Sequence, residues 1–242
     1  MTQTPSLEIS VVVPVRDEAE NIDTLLAEIV AALAGRAFEI VYVDDGSSDA
    51  TPARLADARA RLPMLRVIRH RRSVGQSAAL ATGIRAARGV WIATLDGDGQ
   101  NDPADIPALH ARAQGADAPA LVAGWRARRR DTALKRFSSR LANGVRAALL
   151  GDSTPDTGCG LKVFRRDTFL RLPAFNHMHR FLPALVQRDG GLVVNQRVNH
   201  RPRAAGQSKY GVMNRLFVGI VDLLGVMWLQ RRPVRPEIED AS

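Results

Sequence analysis

One cysteine, Cys159, among 242 residues excludes an internal disulfide and points to a reducing compartment. The opening stretch MTQTPSLEIS has neither a basic region nor a sustained apolar core, so no secretion signal is read there and the protein is expected on the cytoplasmic side. Long hydrophobic runs are also missing. The most apolar segment, residues 213–229, carries Arg215 and Asp222 and falls short of the ~20 apolar residues that span a bilayer. A glycine-rich phosphate loop is absent too. After the first apolar strand the chain reads Pro14-Val15-Arg16-Asp17-Glu18-Ala19-Glu20-Asn21, which argues against an ordinary kinase, GTPase or dehydrogenase. Lysine is scarce, 31 of the 34 bases being arginine, so the placing of charge is more informative than its amount.

That placing is uneven. Residues 1–60 hold eleven acids and four bases, which leaves +16 of formal charge on the remainder of a chain whose net charge is +9. A basic region of this size favours phosphates, whether of a nucleotide, a nucleic acid or an anionic membrane surface. The length suffices for one large α/β core, with or without a trailing subdomain.

Apolar runs and helical stripes alternate along the first half of the chain. Residues 8–14, 38–43, 64–68 and 90–95 read as strands, 38–43 buried and 90–95 buried on both faces. Between the first two, Ile22, Leu25, Leu26, Ile29, Val30 and Leu33 share one face of a helix. Thr51-Pro52 and Asp102-Pro103 read as helix caps followed by proline at the first helical position, and residues 75–87 as a further helix with Leu80 and Ile84 inward. This order predicts parallel βαβ units, which bind ligands beyond the carboxyl ends of their strands. Three of those ends are polar: Pro14 to Glu18, Asp44 to Asp49, and Asp96 to Gln100.

The last of these carries the most chemistry. Asp96-Gly97-Asp98-Gly99-Gln100 sets two carboxylates two residues apart, with glycines around them and a neutral oxygen donor in Gln100. That inventory suits a hard divalent cation, which takes oxygen ligands and keeps some water. An Asp-Gly turn with no ligand is the alternative for this stretch taken alone.

Beyond residue 120 the character changes. Residues 121–151 contain Arg126, Arg128, Arg129, Arg130, Lys135, Arg136, Arg140 and Arg146 against one acid, Asp131, with Leu134, Phe137, Leu141, Val145 and Leu149 as an apolar stripe. A solvated basic helix and an amphipathic helix beneath an anionic headgroup both fit. His177 and His179 lack an obvious third ligand and read as structural. The segment 201–210 offers Arg201, Arg203, Ser208 and Lys209, donors suited to a diphosphate. Residues 213–229, followed by Arg231, Arg232 and Arg235, read as an amphipathic helix that lies in a headgroup region, docks on a membrane partner or packs on its own domain.

Taken in order, VVVPVRDEAEN, VDDGSSD, LDGDGQNDP, GWR, SRLAN, DTGCGLKVFRRD, HRFLP and RPRAAGQSKYG resemble the family 2 glycosyltransferases, and within them the polyprenyl-phosphate sugar transferases typified by dolichol-phosphate mannosyltransferase. The likeness runs from about residue 8 to 212. It implies an α/β fold of GT-A type, a mostly parallel open sheet flanked by helices, over residues 1–212, with an amphipathic membrane-surface or partner-docking helix and tail over 213–242. It implies a UDP- or GDP-linked sugar donor bound with Mg²⁺ or Mn²⁺, and a polyprenyl monophosphate as acceptor. By resemblance Pro14, Val15, Glu18 and Asp45 line the nucleotide pocket, Asp96 contacts the donor, and Asp98 and Gln100 match the metal ligands. Arg126, Lys135 and Ser139 lie where the family grips the acceptor phosphate, with Arg136 the alternative to Lys135, and Arg203, Ser208 and Lys209 match the loop over the donor diphosphate.

The resemblance has two departures. Many bacterial relatives carry a pair of C-terminal transmembrane helices, whereas one amphipathic segment stands here, so the expectation is a peripheral protein at the inner membrane face or one recruited by a small membrane protein. Gly97 stands where relatives often have alanine. Two other readings remain open from the sequence: transfer to a hydroxyl of a glycan or glycolipid, and a noncatalytic anion-binding module. Nucleic acid is not an expected partner, because it leaves the acidic loops unexplained.

Overall fold

In a computed structural model describing residues 7–126, 144, 146–152, 154–202 and 212–232, the apolar runs pair edge to edge in a seven-stranded mixed sheet ordered β3-β2-β1-β4-β6-β5-β7. The strands are β1 (Ile9–Val15), β2 (Phe38–Asp44), β3 (Leu65–Arg69), β4 (Trp91–Thr94), β5 (Leu121–Trp125), β6 (Lys162–Arg165) and β7 (Val193–Arg197). β1 is buried at every residue and runs parallel to β2 on one side and β4 on the other. β6 is antiparallel to both β4 and β5, while β5 and β7 are parallel. The sheet is therefore mostly parallel, as its apolar runs predict, with one reversed strand in its interior. The chain leaves β1 toward β2 and β3, then returns to place β4 on β1's other side, so the carboxyl ends of β1 and β4 border the crevice where open α/β sheets bind ligands.

Alternating side chains of β1 divide the core in two. Ile9, Val11, Val13 and Val15 face one layer with α1 (Ile22–Ala32), α2 (Thr51–Arg61) and α4 (Ile106–Ala113), through Leu25, Leu26, Ile29, Leu55, Ala58, Ile106 and Leu109. Val12 faces the other with α3 (Gln76–Ala86), α5 (Arg166–Arg171), α6 (Leu182–Arg188) and α7 (Val212–Gln230). The stripe read on α1 is the buried one, Ile22, Leu25, Leu26 and Ile29, with Leu33 buried just beyond its end. Burying each such side chain stabilises the fold by about 1.5–3 kcal/mol before chain entropy is counted.

One helix start differs from its sequence reading. α2 begins at Thr51 itself, with Ala50 in the cap position. The Thr51 hydroxyl is turned away from its own helix and accepts the Glu18 N–H at 2.9 Å, while Asp49 Oδ1 accepts the Thr51 N–H at 2.9 Å. Asp102 does cap, its Oδ1 accepting the Ala104 N–H at 3.0 Å ahead of a 3-10 turn that leads into α4.

α7 packs on the second layer through Val226, Leu223, Met227 and Leu229. Asp222 pairs with His177 Nδ1 at 2.9 Å, and Gln230 Nε2 donates to Leu150 O at 2.8 Å. Its outward face carries Ile220, Val221, Leu224 and Trp228, each about half exposed or more. Arg232 lies over the Trp228 ring, 5.0 Å from the centroid. Among the described residues no helix is long and apolar enough to cross a membrane. The side chain of Arg215 lies outside the described residues.

Candidate active site

The three polar strand ends read from the sequence lie side by side, because β2, β1 and β4 are neighbours. Their loops are tied to one another. The Asp45 N–H donates to Val15 O at 2.8 Å, the Asp17 N–H to Ser47 Oγ at 2.9 Å, and the Ser48 N–H to Asp17 Oδ1 at 2.7 Å. Asp17 adopts φ +51°, a left-handed conformation that aspartate tolerates better than most residues. Glu18 accepts from Asn21 Nδ2 at 2.7 Å, ahead of α1. The β1 and β4 ends touch directly: a side chain on Gly97 would run into Val15 Cγ1 and lie 3.2 Å from the Pro14 carbonyl oxygen. That contact explains why glycine stands at this position.

Asp45 is committed to its neighbours. Oδ1 meets His70 Nδ1 at 2.7 Å and accepts the Val74 N–H at 2.9 Å; Oδ2 accepts the Ser73 hydroxyl at 2.7 Å and the Gly75 N–H at 2.8 Å. Burial pushes its pKa up, but these bonds outweigh burial and hold it below the ordinary aspartate range. Its carboxylate fastens the loop between β3 and α3, a contact no local pattern points to.

Asp96 follows the carboxyl end of β4 and is partly buried. Burial first, then the charge of Asp98, pushes its pKa up to about 6, against the pull of Lys162, Arg126 and a hydrogen bond from Gln76. Gln76 Nε2, in the first turn of α3, donates to Asp96 Oδ1 at 2.8 Å. Gly160 also packs close on Asp96, where an added Cβ would lie no more than 2.5 Å from Cγ and both oxygens. Thr94 Oγ1 holds that segment by donating to Gly160 O at 2.6 Å. Asp98 Oδ1 accepts the Gln100 N–H at 3.1 Å, and Gly99 takes φ +71° to close the turn between them.

Arg126, at the end of β5, is largely buried and forks onto Asp156, Nε to Oδ2 at 2.6 Å and Nη2 to Oδ1 at 2.8 Å. Lys162, at the start of β6, is buried as well and donates to the carbonyl oxygens of Thr157 and Cys159. Burial lowers its pKa, while Cys159, Asp96 and Asp156 act to raise it. A buried ammonium tying down the 157–159 backbone beside Asp96 was not singled out from sequence. Nor was Gln76, whose partner is 20 residues away. A polar residue at a helix start facing the end of the next strand is the signal that would have found it.

Arg146 was counted with the basic segment, yet it is buried, its Nη2 donating to Thr154 O at 2.8 Å and lying 3.5 Å from Asp152 Oδ2. It is thus no part of a solvated basic face. His177 and His179 have protein partners, Asp222 and Ser77 respectively. Lys135, Arg136, Ser139, Arg203, Ser208 and Lys209 lie outside the described residues.

The residues present fit a divalent ion of the kind expected. Asp96 and Asp98 bring two carboxylates together, and the Asp98 charge adds to burial, the larger cause, in raising the Asp96 pKa, so a cation between them would be favoured. Among the described residues there is no group of three or more His, Cys, Asp or Glu side chains able to hold an ion unaided. Ligands from the donor phosphates and water would have to complete such a site, as is usual for Mg²⁺ and related ions.

Residues 10–172 match the model of "Glycosyl transferase family 2". The chain belongs to this family. It is a glycosyltransferase, and its relatives narrow the comparison. A dodecaprenyl-phosphate galacturonate synthase of Rhizobium johnstonii is 40% identical over 96% of this chain and 70% of its own length. An undecaprenyl-phosphate 4-deoxy-4-formamido-L-arabinose transferase of Pseudomonas aeruginosa is 39% identical over 90% of this chain and 65% of its own length, so the chain spans about two thirds of such relatives. The fold is of GT-A type, shared with a Pyrobaculum calidifontis mannosyltransferase solved with GDP-Man and Mn²⁺ (TM-score 0.67, 20% identity, 96% of this chain and 67% of that one). It is shared too with a Mycobacterium tuberculosis glucosyl-3-phosphoglycerate synthase solved with Mn²⁺, UDP-glucose and glycerol 3-phosphate (TM-score 0.64, 20% identity, 93% and 80% covered).

Proposed function

We propose that this glycosyltransferase moves a sugar from a UDP- or GDP-linked donor to a polyprenyl monophosphate at the inner membrane face, with a divalent ion and with inversion at the anomeric carbon. The observation that carries this reading is the Asp96–Asp98 pair set against the buried cations Arg126 and Lys162 at one edge of the sheet. Such an edge has groups for both parts of the reaction: oxygen ligands for a cation on the donor side and a guanidinium for an anionic acceptor.

The roles follow from residue chemistry. Pro14, Val15 and Glu18 would border the nucleotide at the β1 end, with Asp45 shaping that pocket by holding the 70–75 loop. Asp98 and Gln100 would hold Mg²⁺ or Mn²⁺, which when bound neutralises charge building on the leaving diphosphate. Asp96, kept in place by Gln76 and Gly160, would face the donor sugar. Arg126, fixed in orientation by Asp156, would steady the acceptor phosphate, together with Lys135 and Ser139 by family resemblance. Arg203, Ser208 and Lys209 would contact the donor diphosphate on the same ground.

An acceptor phosphate is already anionic at neutral pH, so no strong general base is needed, whereas a neutral hydroxyl would require one. The displacement is in line: an acceptor phosphate oxygen bonds to the anomeric carbon as the bond from that carbon to the diphosphate oxygen breaks. The outward stripe Ile220, Val221, Leu224 and Trp228, with Arg231 and Arg232 beside it, has the make-up of a helix lying on an anionic lipid surface. Incubation of the purified protein with Mn²⁺, UDP- and GDP-sugars, and either undecaprenyl phosphate or undecaprenol tests the reading. Glycosylation of the phosphate and not the alcohol is expected; transfer to the alcohol alone, or to neither, would sink it.

A further inference from the structure

We propose that Arg201 is a positioning residue for Asp98 and Gln100, bracing the turn that carries them against α1. The proposal rests on the metal-dependent reading above. Arg201 contacts this turn in two ways. Its main-chain N–H donates to Gln100 O at 3.0 Å, and its Nη2 donates to Asn101 O at 3.1 Å. The same guanidinium forks onto Glu28 of α1, Nη1 to Oε1 at 2.7 Å and Nη2 to Oε2 at 2.8 Å. One side chain therefore joins the backbone beside a proposed metal ligand to a helix of the core.

On the inner side of the turn Asn101 is buried, with Oδ1 accepting the Asp96 N–H at 3.4 Å and Nδ2 meeting Cys159 Sγ at 3.6 Å. Asp98 and Gln100 are linked to each other by the bond closed over Gly99. That internal bond sets their spacing within the turn. Through the carbonyls of residues 100 and 101 Arg201 ties the turn to α1, and an isolated bridge between Asn101 and His200 brings the two segments together. Asn199 adds a second brace, its N–H donating to Asp105 Oδ2 at 2.7 Å and its Nδ2 lying 3.4 Å from Asp102 Oδ2.

Arg201 and Glu28 are each about one third exposed, 33% and 33%, so as a bare ion pair they would contribute little to stability. A positioning role instead places the effect in metal affinity. Groups that orient ligands typically cost 10–100-fold in affinity when removed. The Arg112–Asp117 fork, at the far end of α4, is an exposed pair without a ligand turn beside it and serves as the control.

The test is a Mn²⁺ titration of the full chain with saturating UDP, and separately GDP, following the free ion by electron paramagnetic resonance. Arg201→Met and Glu28→Gln should each raise the Mn²⁺ dissociation constant, the former about 10-fold or more. Nucleotide binding without metal and the thermal midpoint should stay close to wild type, and Arg112→Met should leave the Mn²⁺ constant unchanged. Should Arg201→Met unfold, Glu28→Gln decides, since it leaves the backbone bonds in place. Wild-type Mn²⁺ affinity in Glu28→Gln and in a folded Arg201→Met overturns the proposal, as does an equal loss in Arg112→Met. A wild-type chain that takes up no Mn²⁺ with either nucleotide overturns the metal-dependent reading itself, and this proposal with it.

Discussion

Replacing Gly160 with alanine should disable the site while leaving most of the fold standing. The new methyl would lie no more than 2.5 Å from Asp96 Cγ and from both its oxygens, where ordinary contact is 3.4–4 Å. The shortfall is about 1 Å, and neither party has room to yield cheaply. Gly160 O is tied to Thr94 Oγ1, and Asp96 Oδ1 is held by Gln76. Inserting a methyl into such packing costs about 1–3 kcal/mol. A displacement of about 1 Å in a group facing the substrate costs about 100-fold in rate. Gly160→Ala should therefore lower the denaturation midpoint modestly and kcat by about two orders of magnitude. Urea titration and a steady-state transfer assay read the two effects separately. Full activity with unchanged stability would refute the claim that Asp96 is packed against Gly160 and held there by Gln76.

Three other outcomes are expected. Burial, helped by the charges of Arg180, Lys162 and His177, pushes the His179 pKa down to about 3, so its contribution to stability is complete above the unfolded pKa of about 6.5 and is lost as pH falls below it. The slope is at most about 1.4 kcal/mol per pH unit, and urea midpoints at pH 7.5 and 5.0 should converge in His179→Gln compared with wild type. Asp45→Asn puts an amide N–H₂ where two donors now point, and calorimetry should show a loss of about 1–3 kcal/mol together with a raised KM for the donor. Leu224→Glu with Trp228→Glu should abolish flotation with anionic phosphatidylglycerol vesicles without changing the thermal midpoint; undiminished flotation would remove α7 from the membrane-facing role.

The parallel half of the sheet was legible because each of β1, β2 and β4 is a short run of apolar residues buried on both faces, and the helical stripe of α1 has a single period. The polar strand ends could be placed together for the same reason, since parallel connections bring carboxyl ends to one edge. What local pattern does not carry is pairing across long separations. β6 lies between β4 and β5 although β5 precedes it in the chain, and no periodicity encodes that order. The occupation of Asp45 and the reach of Arg201 to Glu28, 173 residues away, both depend on contacts of that kind. Thr51 shows the limit at short range: its sequence setting is that of a helix cap, but a donor from the neighbouring loop outcompetes its own helix.

The contact between Gly97 and Val15 makes two distant positions a single unit of inheritance. An alanine at 97 would push Val15 Cγ1 aside, so variants at 97 and 15 should be tested together rather than one at a time. The route from glycine to alanine at 97 most easily passes through a smaller residue at 15 first, since that order opens space before it is filled.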